Sequence, residues 1–145
     1  MKIVTDYAGE VTFNEEQIIK MPKGFYGFPD SVEFVLIGEM TVEFPFVWLQ
    51  SISEEDVCFI LTDPFLFVED YNFEIDDEVT EKLNIKSVED VQVFTTVVIN
   101  RNIEESTINL KSPIIINQND RLAEQVVIDA DYPYKRKLFK DKAVM

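Results

Sequence analysis

What most constrains this chain is its punctuation. Short runs rich in Val, Ile, Phe, Thr and Tyr recur from end to end, each bounded by Gly, Pro, Asn or Asp. β-Branched and aromatic side chains suit a pleated, half-buried surface, and the bounding residues supply the turns. The runs predict strands at Lys2–Thr5, Glu10–Phe13, Gln17–Lys20, Phe34–Ile37, Phe46–Ser51, Val57–Thr62, Asn72–Ile75, Gln92–Ile99, Thr107–Leu110, Ile114–Ile116 and Glu124–Asp129. So many short strands without helical repeats between them argue for an antiparallel sandwich or a closed barrel.

One stretch breaks the pattern. Asp77–Leu83 has helical spacing, with Asp76 or Asp77 as the N-terminal cap and acids suited to the helix dipole. Val79 and Leu83 would form its buried stripe, Glu78 and Lys82 would pair on the wet face, and Asn84 would stop it. The segment Met21–Asp30 holds two Gly and two Pro and must be a turn, with Gly24 and Gly27 at positive φ or at close backbone approaches. Asp63-Pro64 and Ser112-Pro113 mark strand boundaries, because the residue before Pro is pushed out of the helical region. At 145 residues the chain is sized for one domain with a real core. We place that domain at residues 1–139 and expect a frayed basic tail over 140–145.

The residue types exclude much chemistry. Histidine is absent, which removes the usual general base and the commonest metal ligand. With one cysteine and no histidine there is no zinc site and no Cys–His or Ser–His–Asp machine. Cys58, between Val57 and Phe59, reads as a buried structural thiol. Neither Glu54-Glu55-Asp56 nor Asp76-Asp77-Glu78 has the alternating acids and central Gly of a calcium loop. There is no phosphate-cradling Gly motif. The missing histidine and the lack of any recognisable site argue against the remaining enzyme reading, a carboxylate-dependent one, and nothing calls for a cofactor. No apolar run reaches the ~18–20 residues of a membrane helix, and Met1–Glu10 lacks an apolar signal core. These features and the lone cysteine give a cytoplasmic expectation.

Charge is uneven. The net charge is −15, and residues 51–100 alone carry 13 acids against 2 bases, a net −11. Such a surface repels nucleic acid and anionic membranes and steers toward basic proteins. It also disfavours base stacking as the use of the many aromatics, since RNA-binding sheets need basic surroundings. The basic stretch at Lys135-Arg136-Lys137, Lys140 and Lys142 fits pairing with the chain's own acids better than nucleic acid.

Phe44–Tyr71 concentrates these properties: two apolar runs, the only Trp, the only Cys and six acids. Within it, Phe65-Leu66-Phe67 follows Pro64 and precedes Glu69-Asp70. An apolar run beside a turn and rimmed by acids is either core or a protein-binding patch. As a patch, Phe65, Phe67 and Tyr71 would be anchors, Glu69 and Asp70 the rim, and the loop Glu54, Glu55, Asp56 would widen it. Phe46, Trp48 and Leu49 would wall a groove for an amphipathic helix if they are not core.

Five blocks, in order, resemble the bacterial flagellar assembly factor family FliW. They are PKGFYGFPD (Pro22–Asp30) with EFVLI (Glu33–Ile37), PFVWLQS (Pro45–Ser51), FILTDPFLFVEDYNFEI (Phe59–Ile75), ESTINLKSPIIIN (Glu105–Asn117), and Arg121 with QVVID (Gln125–Asp129). The resemblance spans Val4 to about Phe139; Ile108 replaces a commoner small residue and Leu122-Ala123 a Gly. It implies an all-β, mainly antiparallel, compact β-barrel-like domain with one short helix. It also implies a monomer that binds flagellin in the cytoplasm and, when free, binds the translational regulator CsrA and relieves repression of flagellin synthesis. The alternative is a dedicated flagellin chaperone without regulator contact. An acidic binder suits a regulator that grips RNA with basic surfaces.

Overall fold

The computed structural model describes residues 1–5 and 8–139. Its strands are β1 (Lys2–Thr5), β2 (Gly9–Thr12), β3 (Ile19–Lys20), β4 (Glu33–Ile37), β5 (Val47–Ser51), β6 (Cys58–Thr62), β7 (Val91–Val98), β8 (Thr107–Ile108), β9 (Ile114–Asn117), β10 (Leu122–Gln125) and β11 (Arg136–Lys137), with one helix, α1 (Asp77–Lys82). β3 to β7 form an antiparallel meander, the first half of β7 pairs with β9, β9 turns back into β10, and β10 meets β3 in parallel at Leu122 and Lys20. That last pairing closes a seven-stranded barrel, which removes the sheet's edges along most of the ring. β8 and then β11 extend from the second half of β7, and β1–β2 is a separate hairpin.

Strand alternation fills the barrel. Ile19, Phe34, Val47, Leu49, Leu61, Phe94, Ile114, Ile116 and Ala123 face inward and are buried together. The turn Met21–Asp30 sends Phe25 into this core, where its ring stacks on Phe59 with centroids 3.9 Å apart. Gly24 permits that approach: its φ is +70°, and a Cβ there would lie 2.6 Å from the Pro29 carbonyl oxygen. Two smaller clusters lie outside the barrel. α1 lays Val79 and Leu83 over Ile115, Val91 and Val93. On another face Ile60 and Val97 pack against Val68, Tyr71, Ile108, Leu110, Ile128 and Leu138.

α1 follows its sequence signals in part. Val79 and Leu83 are buried, Lys82 Nζ and Glu78 pair at 3.0 Å, and Asn84 ends the helix with φ +57°. Asp76 stands at the cap position, yet its side chain makes no capping hydrogen bond. Arg121 also takes a left-handed backbone, φ +58°. Its carbonyl accepts from the Lys20 N–H and its Nη2 donates to the Gln17 carbonyl, so it staples the parallel closure of β3 against β10.

Several expected strands differ. Gln17–Lys20 and Thr107–Leu110 each shrink to two-residue strands. The last long strand starts earlier and ends sooner than Glu124–Asp129, because β10 is defined by its hairpin with β9. Asn72–Ile75 joins no ladder, although its burial alternates as a strand's does. β11 was not foreseen; its two residues carry no β-pattern and gain their place by pairing with β8. Cys58 is half-buried, not buried, because it points outward from β6 beside the barrel wall. The expected frayed tail, 140–145, lies outside the described residues.

Candidate functional site

The outward face of β5 begins a row of aromatic rings. Alternation that buries Val47 and Leu49 turns Trp48 outward, paired across the sheet with Ile37 and Ile60. Gly38 has no Cβ, and the Trp48 ring occupies that space, 3.3 Å from where a Cβ would stand. Phe44 stacks on Trp48 at 5.5 Å and meets Phe46 edge-on at 5.4 Å. Phe46 stacks on Phe67 at 6.1 Å, and Phe67 meets Phe139 edge-on at 6.4 Å. Offset and edge-on pairs at these separations are the favourable ones. The five rings thus form one continuous row.

A short turn sets the row's outer wall. Asp63 accepts the Phe65 N–H through its carboxylate at 2.9 Å, Pro64 fixes the first φ, and Pro64–Leu66 makes a 3-10 turn. Val68 is drawn into the core, which leaves Phe65 44% and Leu66 60% exposed at the tip. Phe65 also borders an open hollow of ≈ 460 Å³ at this mouth of the barrel, among Leu36, Met40, Val47 and Phe94. Glu69 and Asp70 follow, both exposed. Phe44, Phe65, Leu66 and Phe139 together leave large apolar surface in water beside two acids.

The sequence-derived residues fall into three groups. Phe67 joins the row, while Phe65, Glu69 and Asp70, in and just after the same turn, are exposed. Tyr71 lies beneath it, only 3% exposed, with its hydroxyl donating to the Leu110 carbonyl at 2.7 Å. Burial, then the neighbouring Tyr132, pushes the Tyr71 phenol well above its ordinary range. Glu54, Glu55 and Asp56 sit at the other end of β6, a five-residue strand away, or roughly 17 Å at the usual rise. They do not widen the patch. That loop is internally braced: Glu54 accepts from the Ser31 hydroxyl, and Gln50 Nε2 donates to the carbonyls of Ser51, Glu55 and Val57. Glu55 and Asp56 remain exposed. Of the proposed groove walls, Trp48 and Phe46 line the row, whereas Leu49 is barrel core.

Phe139 was missed by sequence reasoning. It sits in a basic, unpatterned stretch, and only the pairing of β11 with β8 brings it to Phe67. Among the described residues no group of three or more Asp, Glu or Cys side chains is placed to hold a metal ion. Among the described residues no helix is long and apolar enough to cross a membrane.

Known proteins resemble this chain in sequence and in fold. A sequence model described as FliW protein matches residues 2–138. A flagellar assembly factor FliW of Alkaliphilus metalliredigens is 40% identical over 131 residues, covering 90% of this chain and 81% of its own. That of Bacillus subtilis is 39% identical over 136 residues, covering 93% and 94%. A crystal structure of the flagellar assembly factor FliW superposes with a TM-score of 0.90 at 33% identity, covering 98% of this chain and 99% of that one.

Proposed function

The chain belongs to the FliW family of flagellar assembly factors, and from that premise we propose that it is a cytoplasmic, monomeric binding protein with two successive partners. It holds flagellin and, when flagellin has been exported, it binds and antagonises CsrA, which relieves repression of flagellin translation. No covalent step is involved; partner exchange does the work.

The observation that carries this reading is the aromatic row with its acidic rim. Interfaces draw their energy from a few aromatic anchors shielded by a polar surround. Phe65 and Phe67 supply anchors, Tyr71 holds the platform from beneath, and Glu69 and Asp70 supply the charge a basic regulator recognises. Glu55 and Asp56, on a separate edge, add to long-range steering under a net charge of −15.

The test is titration calorimetry of this protein into the CsrA dimer of its own organism at two salt concentrations. Tight binding that weakens as salt rises supports the regulator reading and an acidic interface. No heat at either salt, with the protein folded, removes it and leaves a flagellin chaperone.

A further inference from the structure

A second surface shares no residue with the aromatic row. Phe73, Glu74 and Ile75 read as a strand in the sequence, and their burial alternates with period two, yet no backbone hydrogen bond joins them to any described residue. Facing them is the continuation of β10. Val126 N–H donates to the Pro113 carbonyl at 3.0 Å and Ile128 N–H to the Lys111 carbonyl at 3.1 Å. Backbone groups alternate sides along a strand, so the Val127 N–H and carbonyl point the other way, to an edge with no partner among the described residues. β3 covers that edge of β10 only at Leu122.

Between the two unpaired segments runs a groove. It consists of two adjoining hollows of ≈ 310 and ≈ 340 Å³, which share Asp76, Val79, Val126 and Val127 as walls. Phe73, Ile75, Val79, Val126 and Ile128 give it apolar lining, interleaved with the acids Glu74, Asp76 and Asp129. Glu124 to Ala130 spans roughly 20 Å when extended, enough for a peptide of about six residues. Unpaired strand edges beside an apolar groove are the recognition surface of strand addition, in which main-chain bonds give affinity and alternate side chains enter pockets.

Charge selects the occupant. Glu74, Asp76 and Asp129 line the first hollow, and none is in an ion pair with a described residue. The nearby cations are already engaged: Lys23 with Glu124 at 3.7 Å, Lys82 with Glu78 at 3.0 Å, and Lys111 donating to the Ala130 carbonyl at the groove's end. We infer that the groove between Phe73–Val79 and Glu124–Ala130 accepts an extended segment of a basic protein, which adds as a strand with alternate apolar residues inward and Lys or Arg against Glu74 and Asp129. The inference does not depend on which partner the aromatic row holds.

The experiment titrates the isotope-labelled full chain with a capped hexapeptide of alternating Val and Lys, followed by NMR shifts and amide exchange. Shift changes should be confined to residues 73–79 and 124–130, and the Phe73–Ile75 and Val127 amides should exchange roughly tenfold more slowly. The same peptide N-methylated at alternate residues should bind about tenfold more weakly, since it loses backbone bonds but keeps its side chains. A Val and Glu peptide should not bind. Val127→Pro should abolish binding while preserving the thermal midpoint, because the Val127 N–H has no internal acceptor; Val127→Ala should retain it. No shifts at roughly millimolar Val and Lys peptide, equal affinity of the N-methylated form, or shifts centred elsewhere would overturn the proposal. Protection of the same amides that grows with protein concentration alone would assign the groove to a second copy of this chain and also overturn it.

Discussion

Replacing Tyr71 by Phe separates the platform from the surface it supports. The substitution keeps the ring, which is buried against Phe65, Phe73 and Tyr132, and deletes only the hydroxyl that donates to Leu110 O at 2.7 Å. Leu110 is itself buried, so its carbonyl loses a partner where water does not easily replace it. A buried acceptor left unpaired costs about 1–3 kcal/mol. Taking about 2 kcal/mol with a urea m-value of about 2 kcal/mol/M, the unfolding midpoint should fall by about 1 M with the slope unchanged. The thermal midpoint should fall by roughly 4–8 °C. Burial raises the Tyr71 phenol, so the folded state keeps the proton after the unfolded chain has begun to lose it near the ordinary value of about 10. The native protein therefore sheds stability as pH rises above about 10, whereas Tyr71→Phe does not shed this contribution, and the gap between them narrows there. CsrA affinity of the folded variant should stay within about twofold. An unmoved urea midpoint, or binding lost while stability is intact, would refute the placement of Tyr71 as support.

Phe65→Ala should cost about 1 kcal/mol of stability, because the ring is 44% exposed and only part of it packs, on Tyr71, but should weaken CsrA binding in calorimetry by tenfold or more, on the order of 1.4 kcal/mol or above. Charge reversal at both Glu69 and Asp70 should weaken the same binding most at low salt; unchanged affinity in the folded double variant would clear these acids of the role. Gly24→Ala should cost more than ~2 kcal/mol in chemical denaturation, since the new Cβ strikes the Pro29 backbone. Gly27→Ala, at φ +86° but with open space, should cost only about 1 kcal/mol. Asn117→Ala should cost roughly 2–4 kcal/mol, because its side chain donates to the Leu83 and Asn84 carbonyls and accepts from the Asn119 and Asp120 amides, tying α1 to the β9–β10 turn.

The barrel strands β4 to β7 and β9 were legible because each must satisfy two neighbours, which demands long β-branched and aromatic runs such as Val91–Val98 and Ile114–Asn117. The helix was legible from Val79, Leu83 and the Glu78–Lys82 pair. Closure was not: β3 and β10 meet at one residue pair across about a hundred positions, and no local pattern encodes that parallel contact. Asn72–Ile75 shows the converse. Its pattern is genuine, as its alternating burial shows, but a ladder needs a partner strand, which the folded chain does not bring to it. At the candidate site, Phe65, Phe67, Glu69 and Asp70 could be found because they are contiguous. Tyr71, in the same run, turned out to lie one layer deeper, since a turn in which its N–H donates to the Val68 carbonyl brings it inward beside Val68. The Glu54–Asp56 loop was grouped with them by proximity in sequence, and a strand's length of β6 separates them.

The single parallel contact of β3 with β10 has a temporal consequence. Lys20 leaves the ribosome long before Leu122 does, so the meander from β3 to β6 must wait as an open, curved sheet whose inner face carries Phe34, Leu49 and Leu61. Contacts of such sequence separation are slow to form because their loop entropy is spent first. Until the last quarter of the chain is synthesised, that apolar face has no barrel to close over it, and the nascent protein is at its most aggregation-prone just before β10 arrives.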